Sequence, residues 1–383
     1  MFTKNISLIN FKFKKKNKAI TNDLKFILDE NNQVIQSLRK NYKNSYTNKT
    51  LKFFKNKLDF RIIGMGGSIL GSQAIYDFLK EKIVKKFYFV NNLQAKSKQN
   101  FKKEYNNLVI SKSGNTIETI VNSNIYIKKK DKNIFITENK TSYLRQLAKE
   151  LEAEVVNHNN YIGGRYSVLS EVGMLPAELM GLNSKKFKQL NNLVKNKKFL
   201  NNLVINVESI IYFLKNKKYN SIIINYDEKS TNLFNWYQQL VAESLGKKNI
   251  GLLPIISNMP KDNHSLMQLY LDGFKNSFYT FFYVKEKNSQ KTNNDILQMQ
   301  DYLKNKDLDK IIFAQKRATE IIFKKKKIPF RSFEIKKRDE KTLGELFTYF
   351  ILETILIGRS LKINPFDQPA VELIKTETKK ILI

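Results

Sequence analysis

From Phe60 onward, short apolar runs alternate with amphipathic segments, and turns built of Gly, Ser, Asn and Thr stand between them. This alternation constrains the fold more than any other feature. A buried strand that leaves through a turn into a helix, and then returns as another buried strand, must cross over its own sheet. The strands therefore run parallel, with helices on both faces. The pattern predicts strands at 60–63, 108–111, 134–137 and near Val155, with helices running to about Lys82, over 116–127 and over 141–151. It pauses over 161–195 and then resumes, with strands at 221–226, 251–256 and 278–284 and helices at 231–245 and 264–271. A long helix near 343–361 and a last one from Ala370 close the chain. The fold class is α/β: two doubly wound, flavodoxin-like lobes, each a mostly parallel sheet sandwiched by helices. At the N-terminus Leu24, Ile27, Leu28, Ile35 and Leu38 fall on one helical face. The expected organisation is a helical arm over 1–50, a first lobe over 51–190 and a second lobe over 191–383 with the C-terminal helices. The length of 383 residues fits two or three domains at roughly 150 residues each.

The charge is +33, but eight arginines leave sixty lysines among the 68 basic residues. Nucleic-acid readers lean on arginine forks, whereas here Lys, Asn and Ile are abundant throughout. Basic runs such as Lys14 to Lys16 and Lys324 to Lys327 are scattered and not gathered into one footprint. A solvated lysine surface is the simpler account, with no specific nucleic-acid partner, although the positive field would still steer small anions. The chain has no cysteine, which removes disulfides, thiol nucleophiles and thiolate metal sites. The longest uncharged stretch, 62–76, is broken by four glycines and is too short to span a bilayer. A cytoplasmic protein without a membrane partner is expected.

Two turns carry the chemistry. Ser111-Lys112-Ser113-Gly114-Asn115-Thr116 follows a strand and opens a helix. It supplies hydroxyls, one ammonium and free backbone N–H groups, the inventory that holds a phosphate monoester at a helix N-terminus. Gly64 to Ser68, with Gly67 and Ser68 at its end, offers a similar backbone nest one strand earlier. Either turn alone is equally well an ordinary capped turn. Neither has the spacing of a Walker loop or of a dinucleotide fingerprint. Two on successive strands favour a sugar phosphate over a nucleotide.

The segment SKSGNTIET resembles the phosphate motif of sugar isomerase (SIS) domains, and GGRYSVLSEVGMLP, 163–176, resembles the first signature of the phosphoglucose isomerase family. QQLVAESLGK around Glu243, HSLMQLYLDG from His264 and NPFDQPAVELIK from Asn364 agree in order and spacing. The resemblance implies two SIS lobes and reversible isomerisation of glucose 6-phosphate and fructose 6-phosphate, in glycolysis and gluconeogenesis. Moving a proton between neighbouring carbons through an enediol(ate) needs a carboxylate base, and Glu243 matches it. Arg165 matches the cation set against the developing negative charge, a role lysine does not fill. His264 and Lys375 match the ring-opening pair, Gln368 a residue near the reacting end of the substrate and Ser68 one near the sugar. The resemblance also implies a homodimer in which His264 reaches the neighbouring subunit's site. No cofactor and no metal are expected. His158, the other histidine, reads as structural.

Two positions depart from the family pattern. The phosphate turn reads SKSGNT where SKTFTT is common, with Ser113 and Thr116 keeping hydroxyls, and Ala370 stands where glycine is usual. If that position has positive φ, alanine strains the turn by about 1 kcal/mol. The competing readings are another SIS isomerase, one accepting mannose 6-phosphate for example, and a non-catalytic SIS module that senses a sugar phosphate. Such a module has no use for Glu243, His264 or Lys375.

Overall fold

The structure, a computed structural model, describes residues 2–11, 17–54, 56, 58–96, 104–297 and 299–383. The basic run Lys14 to Lys16 lies outside them. Ten strands form two five-stranded sheets among the described residues. They are β1 (Ile6–Ile9), β2 (Phe60–Gly64), β3 (Phe87–Val90), β4 (Asn106–Ile110), β5 (Lys132–Thr137), β6 (Glu154–Asn157), β7 (Asn220–Asn225), β8 (Leu253–Asn258), β9 (Ser277–Val284) and β10 (Phe330–Ile335). One sheet runs β3-β2-β4-β5-β6 and is parallel throughout. The other runs β8-β7-β9-β10-β1, parallel except that β1 joins antiparallel to β10. The two orders coincide over their first four positions; at the fifth, β6 joins parallel in chain order, whereas β1 comes from the start of the chain and joins antiparallel. The central strands β2, β4 and β9 are buried on both faces, which is why they read as continuous apolar runs and not as alternating ones.

In each sheet the chain goes from its first strand to one neighbour and then jumps back to the other side. The switch point of the first sheet therefore lies between β2 and β4, where Gly64 pairs with Ile110. Ligands of doubly wound sheets bind outside the carboxyl ends of the strands at this crevice. The Gly64 and Ser111 turns leave from these two strands, side by side. The matching crevice of the second sheet is filled by the chain itself. Arg338 binds Asp227, beyond β7, at 2.7 Å and Glu286, beyond β9, at 3.0 Å.

Between the sheets runs the helix Glu340–Ser360, buried from Glu340 to Gly358 except at Lys341. A helix apolar nearly all round must be packed on every side. This one meets the helices Thr231–Leu245, Lys197–Lys215 and Lys18–Asp29. Its charges are paired internally: Glu353 takes Arg331 in two hydrogen bonds and Tyr349 at 2.8 Å, and Glu345 accepts from Thr3 at 2.7 Å. The lobes meet where the helix Leu70–Phe78, behind β2, packs on Thr231–Leu245. No helix among the described residues is long and apolar enough to cross a membrane.

The first fifty residues are not wholly helical, which corrects the expected arm. They open with β1, an edge strand of the second sheet, and continue with two separate helices, Lys18–Asp29 and Gln33–Ser37. Asn32 divides them by accepting the Val34 N–H at 2.8 Å, a local cap that competes with helix continuation.

Candidate active site

Three glycine contacts bring the motifs together. A Cβ on Gly67 would lie 2.1 Å from the Gly164 carbonyl carbon and 2.4 Å from the Arg165 nitrogen. The turn after β2 thus rests directly on the backbone that carries Arg165. Gly66 has φ of +51°, and a Cβ there would meet the Gln239 amide at 2.9 Å. Gly114, at the heart of the second turn, has φ of +67°, and a Cβ would meet Ser142 Oγ at 2.2 Å. Two of the three use a backbone region that only glycine occupies without strain.

Arg165 is buried, and its guanidinium is fully engaged. Nε donates to Ser244 Oγ at 2.8 Å; one terminal nitrogen donates to Glu243 Oε1 at 2.9 Å and Gln368 Oε1 at 2.8 Å; the other donates to the Pro365 and Asp367 carbonyls at 2.7 and 3.0 Å. All five donors of a planar fork find acceptors. Glu243 projects from the helix Thr231–Leu245, and its second oxygen accepts from Gln239 Nε2 at 2.8 Å, one helical turn back. The carboxylate is therefore held at both oxygens while its side chain stays 25 % exposed to a cavity. That cavity, about 970 Å³, is lined by Glu243, Lys247, Asn364, Asp367, Gln368 and the start of the helix Ala370–Ile381. The Tyr166 hydroxyl sits 2.8 Å from Ser244 Oγ, and burial pushes its pKa up to about 12, so it stays neutral.

At the other turn the Ser111 and Thr116 hydroxyls are 2.9 Å apart, and Ser113 Oγ accepts the Asn115 N–H at 3.2 Å. Lys112 leans outward. Its ammonium donates to the Asn160 carbonyl at 2.8 Å and lies 3.4 Å from Glu138. The helix Ile117–Tyr126 follows with no side-chain cap on its first turn, leaving N–H groups directed at the crevice.

One chain thus brings together Gly67, Ser68, Arg165, Glu243 and Gln368, with Ser111, Lys112, Ser113 and Thr116 on the adjacent strand end. It does not bring His264 or Lys375 to that cluster. His264 is exposed, directly after the short turn Lys261–Asn263, beyond β8. Lys375 is exposed on the last helix and pairs with Glu372 at 2.6 Å. That helix buries none of its residues; Leu373 and Ile374 are 71 and 70 % exposed. Ala370 is its first residue and is absent from the positive-φ positions, so the strain considered for alanine there does not arise. His158 is buried, and its Nδ1 donates to the Asn159 carbonyl, 2.9 Å away, as a structural residue would.

Sequence reasoning assigned no role to Gln239, Ser244 or Lys247. The i, i+4 spacing of Gln239 and Glu243 was the available signal for the first. Gln239 Oε1 is buried with no hydrogen-bond partner, a free acceptor beside the base. Lys247 reaches Asp367 at 2.6 Å and so fastens the loop that presents Gln368.

Comparison with known proteins gives the family and the fold. The family model described as Phosphoglucose isomerase matches residues 3–252. A glucose-6-phosphate isomerase of Methanocaldococcus jannaschii is 30 % identical over 354 residues, spanning 87 % of this chain and 84 % of that protein. One from Mycoplasmopsis pulmonis is 32 % identical over 360 residues, spanning 84 and 82 %. Among solved structures, a glucose-6-phosphate isomerase from Chlamydia trachomatis superposes with a TM-score of 0.77 at 16 % identity, covering 99 % of this chain and 89 % of that one. A hypothetical protein from Thermus thermophilus gives 0.82 at 21 %, covering 95 and 94 %. At such identities the superpositions speak for the fold.

Proposed function

The chain belongs to the phosphoglucose isomerase family and has the function of a glucose-6-phosphate isomerase, and from that premise we propose how its residues divide the reaction. The phosphate of the hexose sits on the Ser111, Ser113 and Thr116 hydroxyls and the free N–H groups at the start of Ile117–Tyr126, with Lys112 as the cation and Gly67 and Ser68 closing the nest from β2. The sugar then extends across the Gly67–Gly164 contact towards Glu243.

Ring opening comes first, with His264 and Lys375 exchanging protons with the C1 hydroxyl and the ring oxygen. Glu243 then removes the proton from C2 of the aldose and returns it to C1, and the hydroxyl proton moves in the same sense, from O2 to O1. Negative charge on the enediolate oxygens falls to Arg165. Two of its five N–H groups, those bound to Glu243 and Gln368, pass to the substrate oxygens when substrate enters, while Ser244, Pro365 and Asp367 keep the plane fixed. Preorganised donors of this kind lower the barrier because nothing reorients as charge develops. Gln368 and the free Gln239 Oε1 orient the hydroxyls of the reacting carbons.

The observation that carries this reading is the Arg165–Glu243 pair at 2.9 Å, set between the two Ser/Gly turns and an open cavity. A non-catalytic sensor has no use for a carboxylate tethered at both oxygens beside a guanidinium. A coupled assay of glucose 6-phosphate formation from fructose 6-phosphate tests it: activity in the wild type abolished by Glu243→Gln supports the assignment, and equal activity in both removes Glu243 from the mechanism. Mannose 6-phosphate in the same assay measures side activity.

We further propose a homodimer in which His264 serves the neighbouring subunit's site. The exposure of His264 within one chain, and the bare apolar side chains of the last helix, support this. Glu243→Gln and His264→Ala proteins, each inactive, regain activity when unfolded and refolded together if each chain supplies one residue to the other; no regain overturns the sharing. Because a doubly charged sugar ester does not cross lipid, the cytoplasm, where such esters are formed, is the proposed compartment.

A further inference from the structure

The segment from Asn159 to Glu171 forms a loop with Arg165 at its midpoint. Its ends are joined by a hydrogen bond from the Asn159 N–H to Glu171 Oε1, 2.8 Å long. Glu171 is 1 % exposed and opens the helix Glu171–Leu179, where the helix dipole favours a carboxylate. Its other oxygen accepts from the Tyr42 hydroxyl at 3.2 Å, and His158 Nδ1 lies 3.7 Å from Oε1. Tyr42 in turn lies under the buried Lys188 ammonium, 4.7 Å from the ring centroid. Asn159 shapes the loop from within: its carbonyl accepts the Ile162 N–H at 3.2 Å, and its side chain accepts the Tyr161 N–H at 2.9 Å. The next residue, Asn160, gives its carbonyl to Lys112 of the phosphate turn.

We propose that Glu171 is a positioning residue for the isomerisation: by clasping Asn159 it fixes the backbone of the Arg165 loop, so that the guanidinium holds its place when substrate takes two of its hydrogen bonds. The proposal rests on the division of roles given above. The phosphate turn does not depend on the clasp to the same degree. The Lys112 carbonyl accepts from the Glu138 N–H at 3.0 Å and Thr137 Oγ1 at 3.2 Å, and the Gly114 carbonyl accepts from the Leu144 N–H at 3.1 Å. Loosening Glu171 therefore moves the cation that meets the transition state while leaving the phosphate anchor in place. A displacement on the order of 1 Å in such a group costs roughly 100-fold in rate.

Glu171→Met and Glu171→Gln have nearly the same volume and differ in whether an acceptor remains for the Asn159 N–H. For the methionine variant we expect kcat to fall about tenfold or more, a lesser displacement than the full 1 Å, with KM for fructose 6-phosphate and inhibition by inorganic phosphate unchanged. The glutamine variant keeps kcat within about threefold of wild type, because a neutral acceptor keeps the clasp at reduced strength. Equal kcat in both variants and wild type, whatever the melting temperatures, overturns the proposal and assigns Glu171 to stability alone. If the methionine variant does not fold, Glu171→Asp draws the carboxylate back by one methylene; a lower kcat at unchanged KM then supports the clasp, and wild-type kcat overturns it. Absence of activity in the wild type would instead defeat the reading on which the proposal stands.

Discussion

Arg165→Lys separates a cation from a guanidinium at the one place where the difference should matter. Arg165 serves five acceptors, on Ser244, Glu243, Gln368, Pro365 and Asp367. An ammonium has three donors and a compact head, so at least two of these acceptors lose their partner. The Pro365 and Asp367 carbonyls are the ones left, since a lysine reaching for Glu243 turns away from them. The Pro365 carbonyl keeps the Tyr166 hydroxyl, 3.1 Å away, so one acceptor, the Asp367 carbonyl, goes unsatisfied at a cost of roughly 1–3 kcal/mol, and the loop presenting Gln368 loosens. In the transition state the loss of one preorganised donor is worth roughly 100- to 1000-fold in kcat. The measurement is kcat and KM for fructose 6-phosphate by coupled dehydrogenase, alongside a melting curve to separate lost fold from lost chemistry. A folded Arg165→Lys protein turning over within about threefold of wild type would refute the assignment of Arg165 to the enediolate, because charge alone would then suffice.

Gly67→Ala places a methyl against the Gly164 and Arg165 backbone at 2.1 and 2.4 Å, so it forces the two motifs apart. A loss of roughly 1–3 kcal/mol or more is expected together with lower kcat, and wild-type melting and turnover would contradict the contact. Lys188 is buried, donates to the Ser37 carbonyl at 2.6 Å, and burial brings its pKa down to about 7. In the unfolded chain the value is about 10.4. Below pH 7 both states carry the proton; above it the unfolded state alone keeps it, so stability rises with pH from about 7 to 10, by at most about 4 kcal/mol. The melting temperature of wild type should accordingly climb over that window relative to Lys188→Met, and parallel curves would show that the ammonium is solvated. Leu373→Glu with Ile374→Glu on the bare last helix should shift the protein towards monomer in sedimentation and lower specific activity on dilution; an unaltered association state removes that helix from the interface.

Much of the first lobe was legible because each of its signals is local. A run such as Ile62-Ile63 or Val109-Ile110 followed by a glycine turn reports a strand end and a helix start within a few residues, and β2, β4, β5 and β6 lie where the pattern put them, whereas β3 went unread. The 18-residue helix Leu308–Lys325 also went unread, and the rest of what escaped depends on partners distant in sequence. β1 is four residues whose only reason to be extended is the register Ile6 to Ile335, 329 positions away. β10 carries Arg331 and Glu334 among its apolar residues, and Arg331 is tolerated in a buried strand because Glu353 of a separate helix neutralises it. The same division runs through the site. Glu243 and Arg165 were identified through their surrounding motifs, whereas Ser244 and Lys247 sat in those motifs without a role until folding brought Arg165 Nε and the Asp367 carboxylate against them. His264 and Lys375 show the limit from the other side. Their motifs are as clear as that of Glu243, yet the cluster in one chain closes without them, and the last helix lies with its apolar side chains uncovered. A residue whose role is completed by a second copy leaves the same local signature in sequence as one that acts in its own chain. The refolding experiment with Glu243→Gln and His264→Ala therefore decides what neither sequence motif nor single-chain geometry distinguishes.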